Sequence, residues 1–373
     1  MKKDLHDVCG YLKSLIIPHT PSDFVIAEPF RHGLSNDELL KGIAAFRGFL
    51  QELYDKISVG NSYIDATKGE DSVQKCFTLV RDVAVILSTL GLYGRLETEP
   101  RNELVVNGGD LLTPLSSTKP PAINKLSNKR KAEVLEFLSD IGFYFEDLNL
   151  SENIDFSKIG TFHVIYENDD DVILGLKLMA EAKNNIKSGF QKFMTTFMRA
   201  DFYPLADAVP KAHAATAREF ANAQPPQIRE WIIAAEKLLM DNNKCKISCF
   251  YLSNTNGDGS FSYVKRGKTI CRIAMGMGGS LIDIRGNHFA NEVNILPELP
   301  KHMLDVVKSG GCGACAENDP NFISCRHGGP FKFTYNGENL ERCAFGGYTF
   351  SLDNADDRKL LRKWLELELE ESK

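Results

Sequence analysis

Four cysteines near the end of the chain have the spacing of a metal site. Cys312 and Cys315 are separated by two residues, nine residues follow before Cys325, and seventeen more precede Cys343. Thiolates grouped in this way can close on one tetrahedral ion, and His327 is available as a substitute ligand. Because four thiolates leave no open coordination position for chemistry, we predict a structural zinc site.

Two alternatives to zinc use the same cysteines. An iron–sulfur cluster is also held by four thiolates, and the spacing does not distinguish it from zinc. A metal-free alternative is a redox dithiol of Cys312 and Cys315, but a thioredoxin-type motif lies between a strand and a helix. Here glycine-rich sequence precedes the pair and an irregular Glu-Asn-Asp-Pro stretch follows it. The dithiol is therefore the least favoured of the three interpretations.

A second group of residues has the chemistry to bind an anion. Lysines and arginines are interleaved with tyrosines among short predicted strands, a composition that can hold nucleic acid or an anionic metabolite. The residues of this basic patch are Lys265, Arg266, Lys268, Arg272, Arg285, Tyr251 and Tyr263. The simpler interpretation is a solvated sheet face with basic residues at a turn, and we favour it.

Nowhere does the sequence show the linked nucleophile, base and orienting group that would define a reaction. His163, His213 and His288 are isolated along the chain, and we interpret each as a surface or core histidine. Whether the protein is an enzyme therefore stays open. A metal- or thiol-dependent enzyme with an open site near the cysteines is the alternative to a binding protein.

The N-terminal half of the chain is predicted to be mostly helical. Ser35 and Glu38 have the spacing of a capping box at the start of an amphipathic helix. A later helix is predicted to end at Gly91 and to lead into a strand. The segment Leu87–Tyr93 is echoed by Leu138–Tyr144, so we predict two related helix–strand units.

Two proline-rich stretches mark predicted domain boundaries. The first separates a helical domain with a small strand unit, 1–118, from a second, mostly helical helix–strand unit, 123–224. The second precedes an antiparallel sheet domain, 227–373, which carries the cysteine-rich zinc-type element and a C-terminal helix. Its strands are predicted at 246–252, 260–264, 269–274 and 280–284. The predicted fold class is α+β.

Composition and charge exclude several classes of protein. Hydrophobic residues make up 43% and charged residues 25% of the 373 positions, which is typical of globular proteins. The net charge of −6 gives no overall attraction to nucleic acid or anionic lipid. The sequence has no uninterrupted apolar run of about 18 residues and no signal-like N-terminal segment, so no membrane partner is expected. Nine cysteines without an export signal favour reduced thiols in the cytoplasm.

Residues 227–308 resemble small uncharacterised bacterial α+β domains. The order is a helix and a strand, then the segment Tyr263–Cys271, then two strands and a helix. In the similar domains, a hairpin with a Lys-Arg-Gly-Lys turn is followed by a short sheet. The resemblance implies an open antiparallel sheet with helices on one face, and no activity transfers with it.

These features together predict a cytoplasmic, non-catalytic protein that binds a small ligand or a protein partner. Zinc is expected to hold its C-terminal surface together. The alternatives are the metal- or thiol-dependent enzyme and a nucleic-acid-binding regulator that uses the basic patch.

Overall fold

The structure is a computed structural model of mixed helix and sheet, which confirms the α+β class. The residues that it describes are 5–17, 20–21, 23–60, 70–113, 122–150, 153–185, 193–208, 217–251, 259–277, 279–289, 295–309, 330–343 and 346–371. They form two compact units, the first ending at residue 208 and the second beginning at residue 217. The first unit includes residues on both sides of the stretch predicted to be a linker. The three predicted domains remain predictions from the sequence.

The first unit combines helices with a four-stranded antiparallel sheet. Its helices are α1 (Leu5–Leu15), α2 (Asn36–Ser58), α3 (Glu70–Tyr93), α4 (Asn128–Asp140), α5 (Asp171–Asn184) and α6 (Phe193–Met198). Its strands are β1 (Arg95–Glu97), β2 (Glu103–Asn107), β3 (Phe143–Glu146) and β4 (Thr161–Tyr166), in the spatial order β1-β2-β4-β3. A helix followed by two strands thus occurs twice, and β2 and β4 pair at the centre of the sheet.

The predicted capping box starts α2. The Ser35 hydroxyl accepts a hydrogen bond from the Glu38 N–H, and the Ser35 N–H donates to Glu38 Oε2 at 2.8 Å. The helix then packs closely on α5, because a Cβ at Gly175 would lie 2.1 Å from the Gly42 carbonyl oxygen. Glycine at this crossing lets the two backbones approach each other.

The prediction that Gly91 ends the third helix is wrong, because α3 continues to Tyr93. Gly91 lies against α5 instead, where an added Cβ would be 2.8 Å from the Ala180 Cβ. In the described part of the chain, Lys75–Tyr93 is the one stretch long and apolar enough to cross a bilayer, and 78% of it is buried inside the protein. A helix segment buried to this extent is typical of the core of a folded protein.

The second unit is built on a five-stranded antiparallel sheet. Its helices are α7 (Ala217–Ala221), α8 (Pro226–Glu236), α9 (Lys301–Ser309) and α10 (Ala355–Glu371), with a π-helical turn at Lys237–Asn242. Its strands are β5 (Lys246–Tyr251), β6 (Gly259–Lys265), β7 (Lys268–Gly276), β8 (Gly279–Ile284), β9 (Phe331–Tyr335), β10 (Glu338–Arg342) and β11 (Tyr348–Ser351). The order is β11-β8-β7-β6-β5, while β9 and β10 form a separate hairpin.

The predicted meander is confirmed, since β5 to β8 follow one another and every neighbouring pair is antiparallel. The turn between β6 and β7 uses Arg266 and Gly267, with φ of 49° and 81°. Two successive positive φ values match the right-handed twist of a two-residue hairpin. Trp364 of α10 is fully buried against the rings of Phe289 and Phe350, with ring centroids 5.1 Å and 5.5 Å away.

Candidate functional site

The predicted metal ligands lie mostly outside the described residues. This holds for Cys312, Cys315, Cys325 and His327. Cys343 is described, and it is a half-buried free thiol directly after β10. Within the described ranges, no group of three or more His, Cys, Asp or Glu side chains could hold a metal ion. The zinc site therefore stays a prediction.

Two residues of the basic patch are engaged inside the second unit. Tyr263 is fully buried, and its hydroxyl donates to Glu236 Oε1 at 2.9 Å. The Lys265 ammonium donates to the Leu369 carbonyl at 3.0 Å and to Asn243 at 3.3 Å. Their polar atoms are used in holding α8, α10 and the sheet together.

The remaining patch residues are spread over different environments. Arg272 is exposed and pairs with Asp283 across β7 and β8 at 3.7 Å. Arg266 and Lys268 are exposed at the hairpin turn, and the strand position of Tyr251 is at the end of β5. Arg285, the last member, follows β8 and belongs to a different group of polar residues.

That group is centred on Glu368, a fully buried carboxylate of α10. Its oxygens accept hydrogen bonds from the Asn287 N–H at 2.9 Å, the Asn287 side-chain amide at 2.9 Å and His288 Nδ1 at 2.8 Å. Trp364, one turn earlier on the same helix, donates its Nε1–H at 3.2 Å. Burial raises the pKa of Glu368 above its ordinary value, and the donors around it offset part of that rise.

His288 is held by this carboxylate through one ring nitrogen and leaves the other open. The side chain is fully buried, and its Nε2 atom has no hydrogen-bond partner among the described residues. A buried polar atom without a partner costs about 1–3 kcal/mol. A carboxylate bound to Nδ1 also fixes the orientation of the ring, as it does in metal-binding histidines.

Two arginines extend the group. Arg342, the last residue of β10, is 4% exposed and donates to Asn287 Oδ1 and to the Cys343 carbonyl, both at 2.9 Å. Arg285 donates to the Gly346 carbonyl, which also accepts from Arg342 at 3.4 Å. The hydroxyl of Tyr348, the first residue of β11, interacts electrostatically with Arg342 and Glu368. Arg285, Asn287, His288, Arg342, Tyr348 and Glu368 are named here the His288 cluster.

Neither arginine of the cluster has a carboxylate within ion-pair distance in the described ranges. Burial lowers the pKa of both guanidinium groups below their ordinary value, and the nearby Asp283 carboxylate offsets part of that fall. Arg342 is covered on one side by the Phe331 ring, whose centroid lies 4.7 Å from the guanidinium carbon. A buried cation of this kind needs an anion or additional acceptors.

Unpartnered polar atoms concentrate in the cluster. The described residues contain eight buried side-chain nitrogen or oxygen atoms without a hydrogen-bond partner, and four of them belong to it: Arg285 Nε, His288 Nε2, Arg342 Nε and Tyr348 Oη. Native proteins contain few buried polar atoms without a hydrogen-bond partner, so each such atom requires a physical explanation. Two of the four, the Nε atoms of Arg285 and Arg342, are hydrogen-bond donors on cationic groups.

Two glycines allow the backbone to approach closely at this place. A Cβ at Gly347 would lie 2.4 Å from Asp283 Oδ1, and one at Gly286 would lie 2.4 Å from the Phe289 ring. Because these glycines flank the cluster on two loops, larger side chains would push the loops apart. The sequence-based interpretation of His288 as an isolated histidine missed this site, since the other residues of the cluster come from positions 285, 287, 342, 348 and 368.

Comparison with known proteins adds no relative. No protein-family model, no curated protein and no solved structure matches the chain.

Proposed function

We propose that this protein is a binding protein for a small oxyanion, a ligand that carries a carboxylate or phosphate group, and that the His288 cluster is its site. The single observation that carries the proposal is the group of four unpartnered buried polar atoms, two of them on arginines without a carboxylate partner in the described ranges. Oxyanions accept charge-assisted hydrogen bonds from guanidinium groups, and these are about twice as strong as neutral ones.

The charges of the cluster favour an anion over a cation. Arg285 and Arg342 contribute two positive charges. Glu368 contributes one negative charge that His288 and Asn287 already engage, and the neighbouring Asp283 carboxylate is paired with Arg272 at 3.7 Å. Guanidinium groups only donate hydrogen bonds. A metal ion at the same place would meet two cations, whereas an oxyanion would supply the missing acceptors and the missing charge.

The proposal is tested by titrating the full chain with inorganic phosphate and with acetate at constant ionic strength, by calorimetry and by thermal unfolding. A saturable heat and a rise in Tm are expected for at least one of the two. At a ligand concentration ten times Kd, the stabilisation is about 1.4 kcal/mol. No saturable heat and no rise in Tm with either anion would overturn the proposal.

Matched arginine variants locate the binding. Arg342→Met is expected to abolish it, whereas Arg358→Met is expected to leave it unchanged. Arg358 is a suitable control because it belongs to the same unit and also donates to backbone carbonyls, those of Leu352 and Asp353. Tyr348→Phe removes only an unpartnered hydroxyl, so it tests binding even if Arg342→Met folds poorly. It is expected to weaken the anion several-fold.

We also propose that zinc held by Cys312, Cys315, Cys325 and Cys343, with His327 as the alternative ligand, stabilises the C-terminal surface. Cys343 supports this because it is a free thiol that directly follows Arg342. A metal bound there would fix the strand end that carries the arginine. Cys343→Ser is expected to lower both the zinc content and the Tm. Unchanged zinc content in this variant would contradict the proposal.

A further inference from the structure

The unpartnered atoms of the His288 cluster differ in what they can offer to a ligand. The Nε atoms of Arg285 and Arg342 carry hydrogens and can only donate hydrogen bonds. The Tyr348 hydroxyl can donate or accept. His288 Nε2 depends on the state of its ring, because in a neutral imidazole one nitrogen donates and the other accepts. That state therefore decides which ligand could satisfy all four atoms.

The partners of Glu368 assign the hydrogen of that ring to Nδ1. The Glu368 carboxyl lies 2.8 Å from His288 Nδ1. It also accepts from three groups that can only donate: the Asn287 N–H at 2.9 Å, the Asn287 side-chain amide at 2.9 Å and the Trp364 indole N–H at 3.2 Å. Because so many donors favour the ionised, acceptor-only form of the carboxyl, we assign a donating N–H to His288 Nδ1 as well.

The second ring nitrogen of His288 is then a hydrogen-bond acceptor. An imidazolium ring would donate from both nitrogens, but it would add a buried cation to a group that already holds Arg285 and Arg342. Arg342 is close, since it donates to Asn287 Oδ1 at 2.9 Å and Asn287 shares the Glu368 carboxylate with His288. The neutral ring avoids this repulsion. It leaves Nε2 with a lone pair and with no donor among the described residues.

The donors and this acceptor belong to one connected group of side chains. Arg285 and Arg342 donate to the same backbone carbonyl. The Trp364 ring lies between the other two residues, with its centroid 6.2 Å from that of His288 and 6.0 Å from that of Tyr348. The cluster therefore combines guanidinium donors with an imidazole acceptor, and neither kind of atom is fully satisfied by the described residues.

Building on the oxyanion site proposed above, on which this step rests, we infer that its ligand is a hydroxycarboxylate. The carboxylate would accept hydrogen bonds from Arg285 and Arg342, and the hydroxyl would donate to His288 Nε2. A simple carboxylate leaves that buried acceptor without a donor, which carries its full desolvation cost. An ammonium group could also donate, but it would add a positive charge beside two arginines.

The test compares glycolate, acetate and methoxyacetate, each titrated into the full chain by calorimetry at constant ionic strength. Acetate lacks the hydroxyl and is smaller, while methoxyacetate keeps the oxygen without its hydrogen. Glycolate is expected to bind at least tenfold more tightly than either. If acetate or methoxyacetate binds as tightly as glycolate, the inference is overturned and the oxyanion proposal stands. If neither these three anions nor phosphate binds, both are overturned.

Two variants assign the hydroxyl contact to one residue. His288→Phe is expected to bring the affinity for glycolate down to that for acetate. Tyr348→Phe is the matched control: it should weaken both anions alike and keep their ratio. A preference for glycolate that survives in His288→Phe would contradict the inference, as would a preference lost only in Tyr348→Phe.

The state of the His288 ring can also be measured without a ligand, so the inference stays testable if His288→Phe folds poorly. Nitrogen NMR of the full chain with isotope-labelled histidine distinguishes a ring nitrogen that carries hydrogen from one that does not. The His288 signals are assigned by their loss in His288→Phe or in His288→Gln. A hydrogen on Nδ1 and none on Nε2 is expected at neutral pH. A hydrogen on Nε2 would overturn the inference.

Discussion

Removing the Tyr348 hydroxyl should stabilise the ligand-free protein, which is the reverse of what the same change usually does in a core. The side chain is 1% exposed, and its hydroxyl has no hydrogen-bond partner among the described residues. An unsatisfied buried hydroxyl costs about 1–3 kcal/mol. Tyr348→Phe keeps the ring contacts with Phe289 and Trp364, so we expect a gain of about 1–2 kcal/mol.

The matched control is Tyr263→Phe in the same sheet. Tyr263 is equally buried, but its hydroxyl donates to the Glu236 carboxylate at 2.9 Å. A hydrogen bond to a charged group contributes about 1.5–3 kcal/mol, so this variant should lose about that amount. The same chemical change is thus expected to have opposite signs at two positions.

The assay is urea unfolding of the wild type and both variants in a buffer free of oxyanions. Unfolding should be followed by a probe of the second unit, such as the fluorescence of Trp231 and Trp364. A destabilisation of Tyr348→Phe as large as that of Tyr263→Phe would show that the Tyr348 hydroxyl already has a partner. The reasoning about the His288 cluster would then fail.

Two further predictions concern pH and packing. Burial raises the pKa of the Glu368 carboxyl above its ordinary value of 4.5. The stability that this raised pKa contributes to the folded state is fully present below about pH 4.5, and it is lost as the pH rises through the folded-state pKa. The unfolding free energy of the wild type relative to Glu368→Gln should therefore fall over this range in urea titrations, and a rise would contradict the assigned direction. Gly175→Ala should destabilise the first unit by about 1–3 kcal/mol, because the new Cβ would lie 2.1 Å from the Gly42 carbonyl oxygen. Gly48→Ala has open space around its Cβ and should instead stabilise α2 by about 0.5–1 kcal/mol, so thermal unfolding that gave both variants the same sign would refute the packing.

Local signals in the sequence predicted the local structure well. The capping box at Ser35 and the successive strands of the meander depend on residues a few positions apart, and both are confirmed. The repeated helix-end segment also precedes a two-stranded unit in both copies. Its glycines differ in role, however. Gly142 follows the end of α4 with φ of 108°, whereas α3 continues through Gly91 and its turn uses Gly94.

The candidate site could not be predicted from the sequence, because its residues meet only in the folded unit. His288 and Glu368 are eighty positions apart, and no local pattern links them. The other residues of β10 are exposed or half-buried. Because the strand has no regular alternation of buried and exposed positions, its pattern did not predict that Arg342 is buried. One usable signal was Gly286, directly before Asn287 and His288, since glycine often marks a close approach of the backbone.

The most direct test of the oxyanion proposal is a crystal of the full chain soaked in selenate, with data collected at the selenium absorption edge. The account predicts an anomalous difference peak within hydrogen-bond distance of the guanidinium groups of Arg285 and Arg342, absent from crystals of the Arg342→Met variant. A selenate-soaked crystal with no peak at the His288 cluster, although selenate is bound elsewhere on the molecule, would contradict it.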